Sequence, residues 1–598
     1  MKKILYVILL FSSHLFSQEL INDTLNEVSV ISSRANFQIG TEINVISLEE
    51  INNAPVQTIE DLLEYAVNVD IRQRGMQGVQ SDISIRGGTF EQVLVMLNGI
   101  KLNDPQTGHH TMDLPVSIEQ VERIEVITGG ATRVFGNYAY TGAINIVTKS
   151  DLDNSVLISA GENNFMSGEI NYHTTHNKIK HNISISNKKS DGYVPGMDYK
   201  IENYYYQLKA KISNVNSLLN FGYTNKEFGA YSFYTPVYPD QFEKTKTLFT
   251  SLQFRKEGDI TLDQKMYWRH HTDEFILFRD NPSLYHNFHE TNVFGMDFNV
   301  IQKTKTGTNV IGMEIRTDNI LSNRLGLDLD DKIMIDSVNY YDKGASTTIT
   351  NLFAEKNIRL NKLMISSGFM MNIDSKYGSE YFPGLDISYN LTEKVRFFTS
   401  FNRSMRTPNY TELYYSSPTN QGNSNLRSEF STNQEFGLRW NGDLHNSVFT
   451  YYNRKGNDMI DWVLVSGDSI WRAQNFGKVT VRGYELNTKI DINKILSLKL
   501  PISHLSINYS VNELDTSSVG FQSAYLLDYL SSKAAFSLSQ NISQKIRIDW
   551  RACYQDREGG FQEFDSGDEI EYLPFWLFSS RISYNLFNKN TLFLEVNN

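Results

Sequence analysis

For about 450 residues after Ser150 the chain repeats one pattern, short runs in which more apolar and more polar residues take alternate positions. Leu363, Ile365, Phe369, Met371 and Ile373 share one parity, with Met364, Ser366, Gly368, Met370 and Asn372 on the other. Ile546, Ile548, Trp550, Ala552 and Tyr554 oppose Arg547, Asp549, Arg551 and Cys553, and Phe436, Leu438 and Trp440 oppose Glu435, Gly437 and Arg439. A period of two is that of a strand, whose successive side chains point to opposite faces. In water such strands suit a sandwich with its polar face outward. In a bilayer they suit a closed barrel, apolar toward lipid and polar toward the lumen, because only closure satisfies every backbone group there. Beyond the N-terminus no run of 18 apolar residues offers a membrane helix. The mean hydropathy of -0.38 is compatible with a barrel, in which only every second residue meets lipid.

Three features favour the barrel. Lys2 and Lys3 precede the short apolar run Ile4 to Phe11, and Ser17 before Gln18 offers a cleavage point, so residues 1–17 read as an export signal. Aromatic residues, 33 Tyr and 35 Phe among them, gather near strand ends as an interfacial girdle does. Connections also alternate in length: Asn361-Lys362 reads as a tight hairpin turn, whereas Tyr223–Lys244 and Asn319–Tyr340 read as long polar loops. At roughly 20 residues per strand and connection, with spans of ~10 residues, the region holds about 22 strands. A barrel that wide encloses more space than side chains fill, so it is either a pore or plugged.

The segment in front has the texture of a plug. From Ile83 to Lys149, β-branched runs such as Val93–Leu97, Ile124–Ile127 and Ile144–Val147 are separated by glycines. Upstream, Ile43–Leu48 reads as a strand, Ser47 and Glu50 form a capping-box pattern, and Thr58 caps a helix that continues to Tyr65. The predicted architecture is a large antiparallel transmembrane β-barrel over residues 151–598 with an N-terminal globular α+β plug, residues 36–150, in its lumen: a gated large-bore transporter. Residues 18–35 form an extension in which Leu25, Asn26, Glu27, Val28, Ser29 and Val30 alternate like a strand. That stretch has no obvious hairpin partner, so it suits either addition to another protein's sheet edge or the first strand of the plug. The net charge of -12 argues against nucleic acid as a partner, the single Cys553 excludes an intramolecular disulfide framework, and no nucleophile, zinc-protease or phosphate-loop motif points to an enzyme. The rival readings are a passive porin, which would have no globular domain before its barrel, and a secreted β-rich adhesin, which would not need one.

The ordered motifs resemble those of TonB-dependent outer-membrane receptors. In the plug they are Ser84-Ile85-Arg86-Gly87, Val95-Met96-Leu97-Asn98-Gly99, Val121-Glu122-Arg123-Ile124-Glu125-Val126, Gly129-Gly130-Ala131 and Gly142-Ala143-Ile144-Asn145-Ile146-Val147. In the barrel they are Phe401-Asn402-Arg403-Ser404-Met405-Arg406-Thr407-Pro408, Gly422-Asn423-Ser424-Asn425-Leu426-Arg427 and Val481-Arg482-Gly483-Tyr484-Glu485. The resemblance implies an outer membrane of a Gram-negative bacterium, a periplasm-facing N-terminal segment, and Leu25–Val30 as the TonB box for the inner-membrane energy-coupling protein. The subgroup most resembled is the short vitamin B12 receptors, on the Lys101-Leu102-Asn103-Asp104-Pro105-Gln106-Thr107-Gly108-His109-His110 loop and the lack of a further domain before the plug. That implies cobalamin or a related corrinoid as ligand, with a ferric siderophore or haem as the alternative, no resident cofactor, and a surface lipoprotein as a further possible partner.

The same resemblance places Arg86 and Arg123 of the plug opposite the lumen-facing acids Glu435 and Glu485, an expected ionic lock of directional Arg–carboxylate pairs. Asn103, Asp104, Gln106, His109 and His110 are the expected ligand contacts at the plug apex. Asp328, Asp330 and Asp331 resemble acidic calcium-binding loops of the B12 receptors, with solvated loop acids as the other reading. Finally, Thr591-Leu592-Phe593-Leu594-Glu595-Val596-Asn597-Asn598 resembles the family's segment before its last hairpin, so a missing closing strand or two, and an unpaired barrel edge, is expected.

Overall fold

A computed structural model describes residues 43–598 except positions 152, 236, 466, 497–500, 517–520, 563–568, 588–589 and 598. The export signal and the Leu25–Val30 segment lie outside the described residues.

The N-terminal domain is a mixed sheet with short helices. Strands β1 (Ile43–Ile46), β4 (Val93–Leu97), β5 (Ile100–Lys101), β6 (Val121–Thr128) and β7 (Gly142–Thr148) assemble in the order β1-β6-β7-β4-β5, with β4 and β7 parallel. A separate hairpin joins β2 (Val69–Arg74) to β3 (Gln80–Ile85). Ser47 caps α1 (Leu48–Asn53) with the reciprocal Glu50 bonds the sequence predicts, so the strand expected to reach Leu48 stops at Ile46. Thr58 caps α2 (Ile59–Leu63) by accepting from the Asp61 amide. The unbroken apolar run of β4 follows from its central position. Val93, Val95 and Leu97 join one buried cluster with Leu62, Leu63, Ile124 and Ile146. Leu94 and Met96 join a second with Phe135 and the wall residues Phe353, Met370 and Phe382.

Around this domain runs a meandering antiparallel wall from Ser155–Ala160 to Asn590–Val596. Among the described residues 24 strands follow one another in that sheet. Three of them, Leu327–Met334, Asn420–Gln421 and Phe521–Ser523, belong to connections, which leaves 21 in the wall. The predicted parity holds: Ile183 and Ile185 are exposed while Asn182, Ser184 and Ser186 are buried, and Phe369 and Ile373 point out while Met370, Asn372 and Asp374 point in. Outward apolar groups meet lipid and inward polar ones meet the plug. Asn361, at φ 50, forms a tight turn between Tyr340–Leu360 and Leu363–Asp374. The two long connections are shorter than expected, because strands reach Gly229 and resume at Phe242, and Leu327–Met334 adds a hairpin strand within the other. In strand order Asn590–Val596 lies beside Ser155–Ala160. Both strands are largely exposed.

Candidate functional site at the plug–wall interface

Strand β3 ends at Ile85 and the chain turns sharply through Arg86 and Gly87, both in left-handed conformation at φ 54 and φ 61. That backbone costs a non-glycine residue roughly 1–2 kcal/mol, and here it aims the guanidinium across the lumen. Arg86 Nε and Nη2 donate to the two oxygens of Glu485, each at 2.7 Å, and Nη1 donates to Glu435 Oε1 at 2.8 Å. The guanidinium also lies 4.2 Å from the Tyr452 ring centroid. Asn68 Nδ2 steadies the acceptors from the plug side, donating to Glu485 and to the Tyr452 hydroxyl at 2.9 Å. From the wall, Arg454 donates to the Gly87 carbonyl and holds the turn in place. Burial opposes the charge on Arg86, but Glu435 and Glu485 outweigh it and raise its pKa. A planar fork held in both directions resists sideways motion, since displacement breaks several charge-assisted bonds at once.

Arg123 does not take part. It lies on β6, and its guanidinium bonds Glu125, on the same face two residues on, and Glu122 next to it. Acids one and two residues away along a strand are satisfied without crossing the lumen. A further plug arginine at the wall is Arg133, on α3 (Thr132–Phe135), which donates to Glu355 at 2.7 Å and pairs with Asp386 and Asn402. Lys101 bonds Glu314. Asp104 accepts from Arg269, and from Thr291 at 3.1 Å. The tight fit is also visible at Gly129 and Gly130. A Cβ at Gly129, which has φ 84, would meet the Glu435 carboxylate, and one at Gly130 would meet Asn433 and Ser404.

The five expected ligand contacts are mostly turned into this interface. Asn103 bonds β4 backbone at Val93 and Val95, Asp104 is held by the wall, and Gln106 donates to Asp273 at 2.7 Å. His110 is buried beside Asp273 and His271. His109 is partly exposed, stacked 4.4 Å from Phe90, with Tyr525 and Tyr234 edge-on and Asp82 on its Nδ1 at 2.6 Å. Burial alone would raise Asp82, but His109 and Arg74 reverse that and hold it at about 2. The loop is a fastener more than an open apex, because most of its polar atoms already have partners. Asp328, Asp330 and Asp331 fall on the exposed Leu327–Met334 strand, where Asp328 bonds Lys343. They do not converge as a calcium loop does, since successive strand residues face opposite ways.

A wide strand wall filled by a domain on charge-assisted bonds is the architecture of a plugged outer-membrane transporter, not of an enzyme. The family model for the beta-barrel of TonB dependent receptor-like proteins matches residues 132–598, and that for the TonB-dependent receptor plug domain matches residues 35–143. The chain belongs to the TonB-dependent receptor family, and its place is the outer membrane of a Gram-negative cell. It is similar to the vitamin B12 transporter BtuB of Vibrio vulnificus strain YJ016, 23% identical over 513 residues, 81% of this chain and 78% of that one. The BtuB of Vibrio cholerae strain M66-2 is 21% identical over 75% of this chain and 72% of its own. Among solved structures, the siderophore receptor PirA of Acinetobacter baumannii superposes with a TM-score of 0.73 at 15% identity, covering 93% of both chains. The FrpB iron transporter of Neisseria meningitidis, F5-1 variant, superposes at 0.74 and 16%, covering 94% of this chain and 95% of its own.

Proposed function

We propose that this receptor imports cobalamin or a related corrinoid, and that the Arg86 fork is the catch that keeps its plug seated until an energy-coupling protein pulls. The observation that carries the ligand is the sequence similarity to two vitamin B12 transporters over three quarters or more of the chain. Two properties of this chain support it. The net charge of -12 disfavours a strongly anionic ferric complex relative to a neutral ligand. The exposed tyrosines Tyr231, Tyr234 and Tyr238, in the connection above the plug, offer flat amphipathic surface to a large planar ring with amide arms.

In this mechanism ligand binds at the outer face, the Leu25–Val30 segment is released on the periplasmic side, and the TonB-type partner adds a strand to it. Force on that strand breaks the plug's wall bonds and opens a path. The test is uptake of radiolabelled cyanocobalamin by cells that lack a cobalamin receptor and express this chain, with cobinamide and ferric siderophores as competitors. Saturable uptake competed by cobinamide is expected. Competition by a ferric siderophore alone would transfer the ligand to that class. Removing Asp23–Ser32 should leave ligand binding intact and abolish uptake; unchanged uptake would end the coupling proposal.

A further inference from the structure

Two histidines and an aspartate converge at the top of the plug. His110 and Asp113, on the plug loop that follows β5, meet His271 on the wall strand Ile260–Ile276. One donor atom of each lies within 4.8 Å of the other two. His110 Nδ1 is 3.8 Å from Asp113 Oδ2, and His271 Nδ1 is 4.0 Å from the same oxygen. Two ligands of one ion at ~2.1 Å lie at most about 4.2 Å apart, so the His110–Asp113 separation admits an ion between them, while His271 keeps its Nδ1 on Thr247 and has Nε2 as its ligand atom.

The other polar atoms of these side chains are engaged. His110 Nε2 faces Asp273 Oδ2 at 3.5 Å, the Thr247 hydroxyl lies 2.8 Å from His271 Nδ1, and Lys226 Nζ lies 2.7 Å from Asp113 Oδ1. What remains is an acceptor oxygen and a ring nitrogen, Asp113 Oδ2 and His271 Nε2, both buried without a hydrogen-bond partner. An orphaned buried acceptor costs about 1–3 kcal/mol, so Asp113 Oδ2 is a standing demand for a ligand. Holding the far nitrogen of each imidazole on a carboxylate or hydroxyl is also how metal-bound histidines are oriented.

The charge runs the same way. Asp104, Asp113, Glu243 and Asp273 share this patch, and among the described residues the lysine and arginine that pair with them are Lys226 and Arg269. The carboxylates of this patch outnumber its lysine and arginine partners, as suits a cation. We infer that His110, Asp113 and His271 bind a resident divalent transition-metal ion, zinc-like in its preference for two imidazoles and a carboxylate, which clamps the plug loop to the barrel wall. The ligands are 0% to 6% exposed, so the ion is a bolt and not cargo.

The test uses the full chain purified in detergent, stripped with chelator, mixed with zinc chloride and desalted before elemental analysis. One zinc per chain is expected, falling at least tenfold in His271→Ala and in Asp113→Asn, while His445→Ala, far down the wall beside Trp440, retains it. No zinc in the wild type, or equal zinc in His271→Ala, would overturn the inference. Heat-modifiable gel mobility verifies that each variant is folded. A second readout needs no variant: cobalt(II) loaded into the wild type should give visible bands more intense than those of the aqua ion, and an unchanged aqua-like spectrum would overturn it.

Discussion

Replacing Arg86 by alanine leaves Glu435 and Glu485, 3% and 6% exposed, without their shared cation. Breaking a buried pair from one side costs about 3–5 kcal/mol, because a charge stays behind in a poor solvent. The plug of Arg86→Ala should therefore be cut by protease at concentrations that spare the wild type, and Arg86→Lys should recover only part of the protection, since an ammonium cannot fork between two carboxylates. Glu64 gives a second residue-scale test. Burial raises its carboxyl to about 7, with Lys533 acting against the shift. A carboxyl whose folded pKa lies above its unfolded value of about 4.5 stabilises the fold fully below 4.5 and loses that contribution as pH rises toward 7. Glu64→Gln should thus gain thermal stability over the wild type at pH 8 and none at pH 4; an equal gain at both would show that Glu64 does not carry the shift.

At the scale of elements, what could be read from sequence depended on how many residues repeated a period. β4, β6 and β7 stand where their β-branched runs lie, and the Leu363–Asp374 strand keeps its predicted faces. A four-residue helix has no period, so α3 and its Arg133 were not legible, although the Gly129-Gly130-Ala131 motif sits directly before them. The partners of the plug's charges were harder still. Glu314, Glu355 and Asp386 look like any inward polar residue of an alternating strand, and only the closed wall brings them opposite Lys101 and Arg133. Arg123 shows the converse, a charge chosen for its position whose needs are met by its own strand. The β6–α3 link yields its own prediction. Gly129→Ala places a methyl group against the Glu435 carboxylate in a backbone that disfavours side chains, so it should loosen the plug about as much as Arg86→Ala in the same protease assay, while Gly168→Ala, whose Cβ meets nothing within 4 Å, should not.

Across the whole molecule, a wall with 21 strands among the described residues surrounds a domain that it grips by ion pairs at several heights, Arg86 with Glu435 and Glu485, Arg133 with Glu355, Lys101 with Glu314 and Asp104 with Arg269. Such bonds are strong in place and fail together under a directed pull, whereas an apolar seal of equal area offers no single catch. Conductance across a planar bilayer tests this account most directly. The purified full chain should be electrically silent, Arg86→Ala should flicker open, and the barrel without residues 36–150 should conduct as a large, steady pore. Steady conductance of the full chain equal to that of the plugless barrel would contradict a plug that closes the bore.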